Sequence, residues 1–269
     1  MQSEFYIGYL EKAPKGVAKF IRILLVFIFA AVITLAYILS RNQRGFNPSN
    51  YEYYQETKLT GRLISEPFPA IQVFWGVSLG QPSIIQTIPI VGFGKNGGQK
   101  IIAAHENKWV DASGHLIYYD GSVLLEIPRS ENLTVLDSPP VGVANLKPAD
   151  YTSTTSMRGE IIDSKCFFGV MKPGHGKPHR SCAIRCISGG IPAVFRTENE
   201  EGNPVYYLIN SEIDKNKLAN YVGEFVTVQG MVGTFYDWKL LKIQSIEPLL
   251  SQLGNGSITD GIALCGEAF

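Results

Sequence analysis

The chain has 269 residues, with 24 basic and 24 acidic side chains and a formal net charge of zero. This length is enough to bury a hydrophobic core without disulfides, and it predicts one or two globular units at roughly 100–200 residues each. A neutral chain lacks the basic footprint of a nucleic-acid binding protein, so we expect no nucleic-acid partner.

The first predicted element is a transmembrane helix over residues 23–40, a stretch without a charged side chain. At 1.5 Å rise per residue it spans about 27 Å, close to the thickness of the hydrocarbon core. A cleaved signal peptide is the alternative, but its apolar stretch has only about 7–15 residues. We therefore interpret the helix as a retained signal-anchor.

Basic residues on the two sides of this helix predict its orientation. Four precede the helix and two follow it: Lys12, Lys15, Lys19 and Arg22, then Arg41 and Arg44. Residues 1–22 are therefore expected in the cytoplasm, and the rest of the chain in the periplasm or outside the cell. This makes the protein a single-pass protein of the cell membrane, with the membrane as one partner.

A repeat follows the helix. The segment around Gly61 is similar to the segment around Gly159, at an offset of 98 positions. Residues 109–114 and 124–127 match residues 225–230 and 240–243, at an offset of 116. Each half has room for five or so short strands, which suits a small closed barrel of the OB type.

The predicted fold is mostly β, with two tandem small OB-like β-barrel domains after the transmembrane helix. The first covers residues 59–137 and the second residues 156–250, with a Cys/His-containing helical insertion at 164–191. A juxtamembrane linker at 41–58, a Pro-rich linker at 138–155 and a tail at 251–269 complete the chain. Insertions on a simple scaffold often carry function, so we place the candidate site there.

Cysteine and histidine side chains are concentrated in this insertion. If Pro178 begins a helix, then His179, Cys182 and Cys186 share one face of it, and Cys166 arrives from the preceding strand. Three thiolates and an imidazole can surround a soft metal ion such as zinc. His175 is an alternative ligand in the same segment.

A disulfide is the competing interpretation of these cysteines. Outside the cytoplasm thiols oxidise, and Cys166 joined to Cys182 or Cys186 would tie the insertion to the barrel. A bridge between Cys182 and Cys186 is disfavoured, because helix neighbours at this spacing have Cβ atoms about 5–6 Å apart. Reactive thiols are a third interpretation. Cys265 lies in the predicted tail.

The run DSKCFFGVMKPGHGKPHRSCAIRCISGGIP, residues 163–192, resembles a motif of membrane-anchored bacterial proteins. No established activity comes with that family. The resemblance implies a bacterial origin and a redox setting. We therefore expect a membrane protein complex, of a redox or respiratory kind, as a further partner.

The remaining motifs favour no enzyme. Residues 92–97 fit the GxGxxG pattern, but no βαβ unit is predicted around them, so we interpret them as a glycine-rich loop. No Ser-His-Asp or paired-carboxylate pattern predicts a catalytic residue. We expect a non-enzymatic accessory or binding protein; the alternative is a metal- or thiol-dependent redox enzyme that uses the Cys/His cluster.

Overall fold

The computed structural model describes residues 14–42, 49–75, 84–138 and 147–249. The chain divides into two compact units, Met1–Asn47 and Pro48–Phe269. Within these described ranges, the first unit holds one helix and the second holds the strands. The predicted tail, with Cys265, lies outside the described residues.

The helix of the first unit is α1 (Lys15–Asn42). Among the described residues it is the one helix long and apolar enough to cross a membrane. Its 28 residues extend the uncharged stretch predicted from the sequence at both ends. The presence of an apolar helix able to span a membrane is therefore confirmed.

The second unit begins with a two-residue strand, β1 (Asn50–Tyr51). Five longer strands follow: β2 (Thr57–Ile64), β3 (Ala70–Trp75), β4 (Ile84–Gly92), β5 (Trp109–Tyr119) and β6 (Ser122–Ile127). A short helix, α2 (Gln99–Ile102), lies between β4 and β5, and a short strand, β7 (Leu133–Val135), pairs with β5. The strands pair in the order β5-β2-β3-β4-β6, and β6 pairs again with β5, which closes the first barrel.

The second barrel has the same strand order. Its elements are β8 (Asp150–Asp163), α3 (Ser164–Phe168), α4 (Gly176–Ser188), β9 (Ala193–Glu198), β10 (Pro204–Ile209), α5 (Lys215–Ala219), β11 (Phe225–Phe235) and β12 (Trp238–Pro248). The ring runs β10-β12-β11-β8-β9, and β10 pairs with β12 in parallel as β4 pairs with β6. The predicted fold class, two tandem OB-like barrels after an apolar helix, is confirmed.

The duplication extends to the register of the strands. Gly61 lies opposite Val110 in the first barrel, and Gly159 lies opposite Val226 in the second. These pairs are related by the offsets of 98 and 116 that the sequence shows. The two barrels therefore share the pairing of equivalent residues at this point as well as the order of their strands.

Close approach of neighbouring strands explains why glycine recurs at Gly61 and Gly159. A Cβ atom at Gly61 would overlap the carbonyl oxygen of Gln72, and one at Gly159 would overlap that of Arg196. Glycine inside a strand commonly marks such an approach. Both barrels therefore need the same residue at the same point of their first long strand.

The barrels differ most between their first two long strands. Residues 65–69 connect β2 to β3, whereas residues 164–192, with α3 and α4, connect β8 to β9. This is the predicted Cys/His insertion. The insertion begins where β8 ends. The side chains that surround its cysteines therefore depend on how it packs against the first barrel.

A shared hydrophobic core joins the two barrels. One cluster of buried side chains includes Phe68 and Ile117 from the first barrel with Phe168 and Trp238 from the second. Trp238 also donates an indole hydrogen bond of 2.6 Å to the carbonyl oxygen of Thr87. The insertion therefore lies on a packed junction between the repeats.

Candidate metal centre

Asp163, the last residue of β8, positions the first cysteine. Its side chain caps α3 by accepting a hydrogen bond of 2.8 Å from the backbone N–H of Cys166. Aspartate is favoured at this position because its oxygen satisfies an N–H that the helix leaves unpaired. The strand end therefore fixes where Cys166 enters the site.

Helix α4 supplies the other sulfurs and the imidazole. It begins at Gly176 and ends at Ser188, so His179, Cys182 and Cys186 occupy successive turns of one helix. His179 is 4% exposed and Cys186 is 1% exposed, whereas Cys182 is half-buried. The helix thus presents the predicted set of side chains toward α3 and the junction.

The structure brings the three sulfurs together. The Sγ atom of Cys166 lies 3.8 Å from that of Cys182 and 3.8 Å from that of Cys186. The three residues are free thiols, so the disulfide interpretation is not confirmed. Two sets of groups have ligand atoms within 4.8 Å of one another: Cys166, His179 and Cys182, and Asp163, Cys166 and Cys186. This Cys/His cluster can hold a metal ion.

His179 lies beside the cluster, but His175 lies elsewhere. The Nε2 atom of His179 is 2.8 Å from Oδ2 of the fully buried Asp163. Because Asp163 accepts from Nε2, the Nδ1 atom of His179 is the nitrogen left for a ligand. His175 pairs instead with Glu160, at 3.8 Å, and belongs to neither set of candidate ligands among the described residues.

Lys95 was missing from the residues predicted for the site. Its Nζ atom lies 2.7 Å from Sγ of Cys182 and 3.7 Å from Sγ of Cys186. It comes from the glycine-rich loop after β4, the segment with the GxGxxG pattern. The sequence shows a basic residue inside the GxGxxG pattern, but it does not predict that this loop packs against α4.

Backbone contacts hold this loop against the end of α4. The N–H of Gly97 donates to the carbonyl oxygen of Gly189 at 2.9 Å. A Cβ atom at Gly189 would overlap the carbonyl oxygen of Lys95. Only glycine permits this approach, so the glycines after Cys186 serve to dock the loop that carries Lys95.

A largely buried lysine ties α3 to the same loop. Lys165 forms an ion pair with Glu126 of β6, and Glu126 is 2% exposed. The Lys165 Nζ atom also donates to the carbonyl oxygens of Gly92 and Gly94, at 2.7 and 2.8 Å. A buried charge needs such partners to offset its loss of water. The first barrel thus supplies both the ion pair and the loop.

Two of the thiols, those of Cys166 and Cys186, have pKa values shifted in opposite directions. The pKa of Cys166 lies far above its ordinary value because the thiol donates to Cys186 and is also buried. The pKa of Cys186 lies below its ordinary value, chiefly through the same hydrogen bond, with Lys95 adding to the effect and burial opposing it. The hydrogen bond to Cys182 raises the pKa of Lys95, which therefore stays a cation.

Comparison with known proteins assigns no family. No family model matches the chain, and no curated protein matches it. A solved structure of a deletion mutant of the single-stranded DNA binding protein from Thermus aquaticus is 12% identical and covers 72% of this chain and 93% of its own, with a TM-score of 0.20. At this level the likeness carries no argument about function.

Although the likeness assigns this chain no function, the protein found is a single-stranded DNA binding protein, so the expected absence of a nucleic-acid partner does not stand. That exclusion is withdrawn. Its basis was also incomplete, since net charge is a sum that hides how charge is distributed. Residues 164–197 contain no acidic residue and six basic ones: Lys165, Lys172, Lys177, Arg180, Arg185 and Arg196.

Proposed function

We propose that the protein is a membrane-anchored metal-binding accessory protein, in which Cys166, Cys182 and Cys186 hold a soft divalent ion such as zinc. The observation that carries the proposal is the spacing of the sulfurs, 3.8 Å from Cys166 to each of the other two. In tetrahedral zinc sites the Zn–S distance is about 2.3 Å, which puts two sulfur ligands about 3.8 Å apart. Cys166 therefore has, from each of the other two thiols, the separation that shared coordination requires.

His179 is the fourth proposed ligand, since its ligand atom lies within 4.8 Å of those of Cys166 and Cys182. Ligating histidines commonly donate their other ring N–H to a carboxylate, which fixes the tautomer and the direction of the ring. The pair between His179 and Asp163, at 2.8 Å, has this form. Lys95 would offset part of the negative charge of the thiolates from outside the coordination shell.

Burial of two of the four proposed ligands favours a structural or carrier role over catalysis, although Cys166 and Cys182 are partly exposed. Structural zinc sites are closed by protein ligands, whereas catalytic ones keep a position open to water or substrate. Cys186 and His179 are buried, at 1% and 4% exposed. Together with the apolar helix α1 and the sequence resemblance, this supports an accessory role in a membrane redox or respiratory complex.

Metal analysis of the full-length protein in detergent tests this proposal. We expect stoichiometric zinc in protein purified without chelator, and loss of most of it in Cys186→Ser. Ser181→Ala, an exposed change on the same helix, is the matched control and should keep its metal. Purified protein that neither contains zinc nor binds it when reduced would overturn the proposal.

A thiol-dependent redox enzyme is the second candidate. The lowered pKa of Cys186 and the cation of Lys95 favour it, because a thiolate is the reactive form of cysteine. This role predicts that alkylation of the metal-free protein rises with pH at a lower midpoint than for an ordinary thiol, and that Lys95→Met moves the midpoint upward. A profile of an ordinary cysteine in the native protein would exclude this role.

A further inference from the structure

The hydrogen bond between Lys95 and Cys182 is short. The Nζ and Sγ atoms are 2.7 Å apart. Hydrogen bonds from N–H to oxygen have a modal length of about 2.9–3.0 Å, and those to sulfur are longer because sulfur is the larger atom. A direct nitrogen–sulfur bond, in contrast, is much shorter than this contact. The observed separation is one that a single bridging atom, bonded to both, can span.

We infer that Lys95 and Cys182 are placed to form a covalent nitrogen–oxygen–sulfur bridge when the protein meets dioxygen. The bridging atom is oxygen, and the site is therefore a modification site as well as a cluster of ligands. The bridge does not depend on the metal proposed above, although both use Cys182.

The surroundings of the two side chains favour this bond. The backbone of Lys95 is held against Gly189, and Gly97 is hydrogen-bonded to the same glycine. Lys95 is exposed and Cys182 is half-buried, so a small oxidant reaches both. Holding two groups at reaction distance removes most of the entropic cost of joining them.

The reaction balances with one dioxygen molecule. The thiolate of Cys182 and the ammonium of Lys95 each give up two electrons, and dioxygen accepts all four. One oxygen atom enters between sulfur and nitrogen, and the other leaves as water with two of the ammonium protons. The third proton stays on the nitrogen, so the product is an uncharged S–O–NH link.

Formation of the bridge has two consequences for the cluster. It removes the positive charge of Lys95 and takes one sulfur away from any metal, leaving Cys166, Cys186 and His179. It also joins the loop of the first barrel covalently to α4 of the second. Oxygen would thus lock the barrel junction while it weakens metal binding.

Peptide mass spectrometry tests the inference. Full-length protein in detergent is stripped of metal with a chelator, and one half is kept reduced under nitrogen while the other is exposed to air. After digestion without reductant, we expect the aired sample to contain the Lys95 and Cys182 peptides linked, about 14 Da heavier than their sum, since one oxygen is gained and two hydrogens are lost. Dithiothreitol should release them.

Variants separate the bridge from other oxidation products. Lys95→Arg and Cys182→Ser should each abolish the linked pair, whereas Lys100→Arg in α2 should keep it, with circular dichroism showing that all three fold. Cys166, 3.8 Å from Cys182, competes by forming a disulfide, which links cysteine peptides with a loss of about 2 Da. If Cys182 appears only in disulfides, or Lys95 is always recovered unlinked, the inference is overturned. Zinc binding by the reduced protein is a separate result and decides only the proposed function.

Discussion

Asp163 illustrates how one residue shapes the site at the residue scale. It caps α3 through the N–H of Cys166 and accepts a hydrogen bond from His179, and it is fully buried. Its position in the first long strand of the second barrel could be predicted from the sequence, whereas the short helix α3 that follows and carries Cys166 was not predicted. The second contact of Asp163 could not be predicted, because it depends on α4 folding back over β8.

Replacing Asp163 by asparagine separates these two roles. Asparagine also caps helices well, so we expect the fold to be kept and the thermal midpoint to change little. The neutral amide cannot hold the imidazole as the carboxylate does, and such changes outside the coordination shell cost about 10–100-fold in metal affinity. A competition titration with a zinc indicator measures the loss, with Ser181→Ala as reference. Unchanged affinity would show that His179 is not a ligand.

Lys95 marks the limit of prediction at this scale. The spacing of His179, Cys182 and Cys186 follows from one helix, and so their convergence could be predicted. The distance from Lys95 to Cys182 depends instead on how two barrels meet. Hydrophobic periodicity predicts which face of a single helix or strand is buried. It does not predict how two barrels pack together.

At the scale of elements, the repeated glycines are the clearest feature of the strands. Gly61 and Gly159 occupy equivalent positions in β2 and β8, each against a neighbouring carbonyl oxygen. The sequence repeat predicted this equivalence through its two constant offsets. It did not predict that β1 and β7 would be separate short strands, because their counterparts in the second half are the ends of longer strands: residues 150–151 of β8 and residues 246–248 of β12.

Alanine at either glycine should destabilise the protein. The added Cβ forces neighbouring strands apart, so we expect Gly159→Ala to lower the free energy of unfolding by about 1–3 kcal/mol, a typical cost of overpacking. Gly61→Ala should cost a similar amount because its surroundings are the same. Urea denaturation of the detergent-solubilised protein measures both, with the exposed Ser156→Ala in β8 as control. A loss no larger than that of the control would contradict the close approach.

At the scale of the whole molecule, the feature to be tested is the orientation of the protein in the membrane. We propose that the residues before α1 are cytoplasmic and that both barrels lie outside the cytoplasm, since four basic residues precede the apolar stretch and two follow it. Alkaline phosphatase fused to the C-terminus in a bacterial host should then be active, and a fluorescent protein that matures only in the cytoplasm should stay dark. The opposite pair of results would reverse the orientation.

The shared hydrophobic core has a thermodynamic consequence. Phe68 and Ile117 of one repeat are buried in the same cluster as Phe168 and Trp238 of the other. Separate domains usually meet through smaller, more polar interfaces and can unfold in turn. Here neither barrel can open without exposing core side chains of its neighbour. The duplicated fold should therefore unfold in one cooperative thermal transition. Although it contains two barrels, it should unfold as a single domain does.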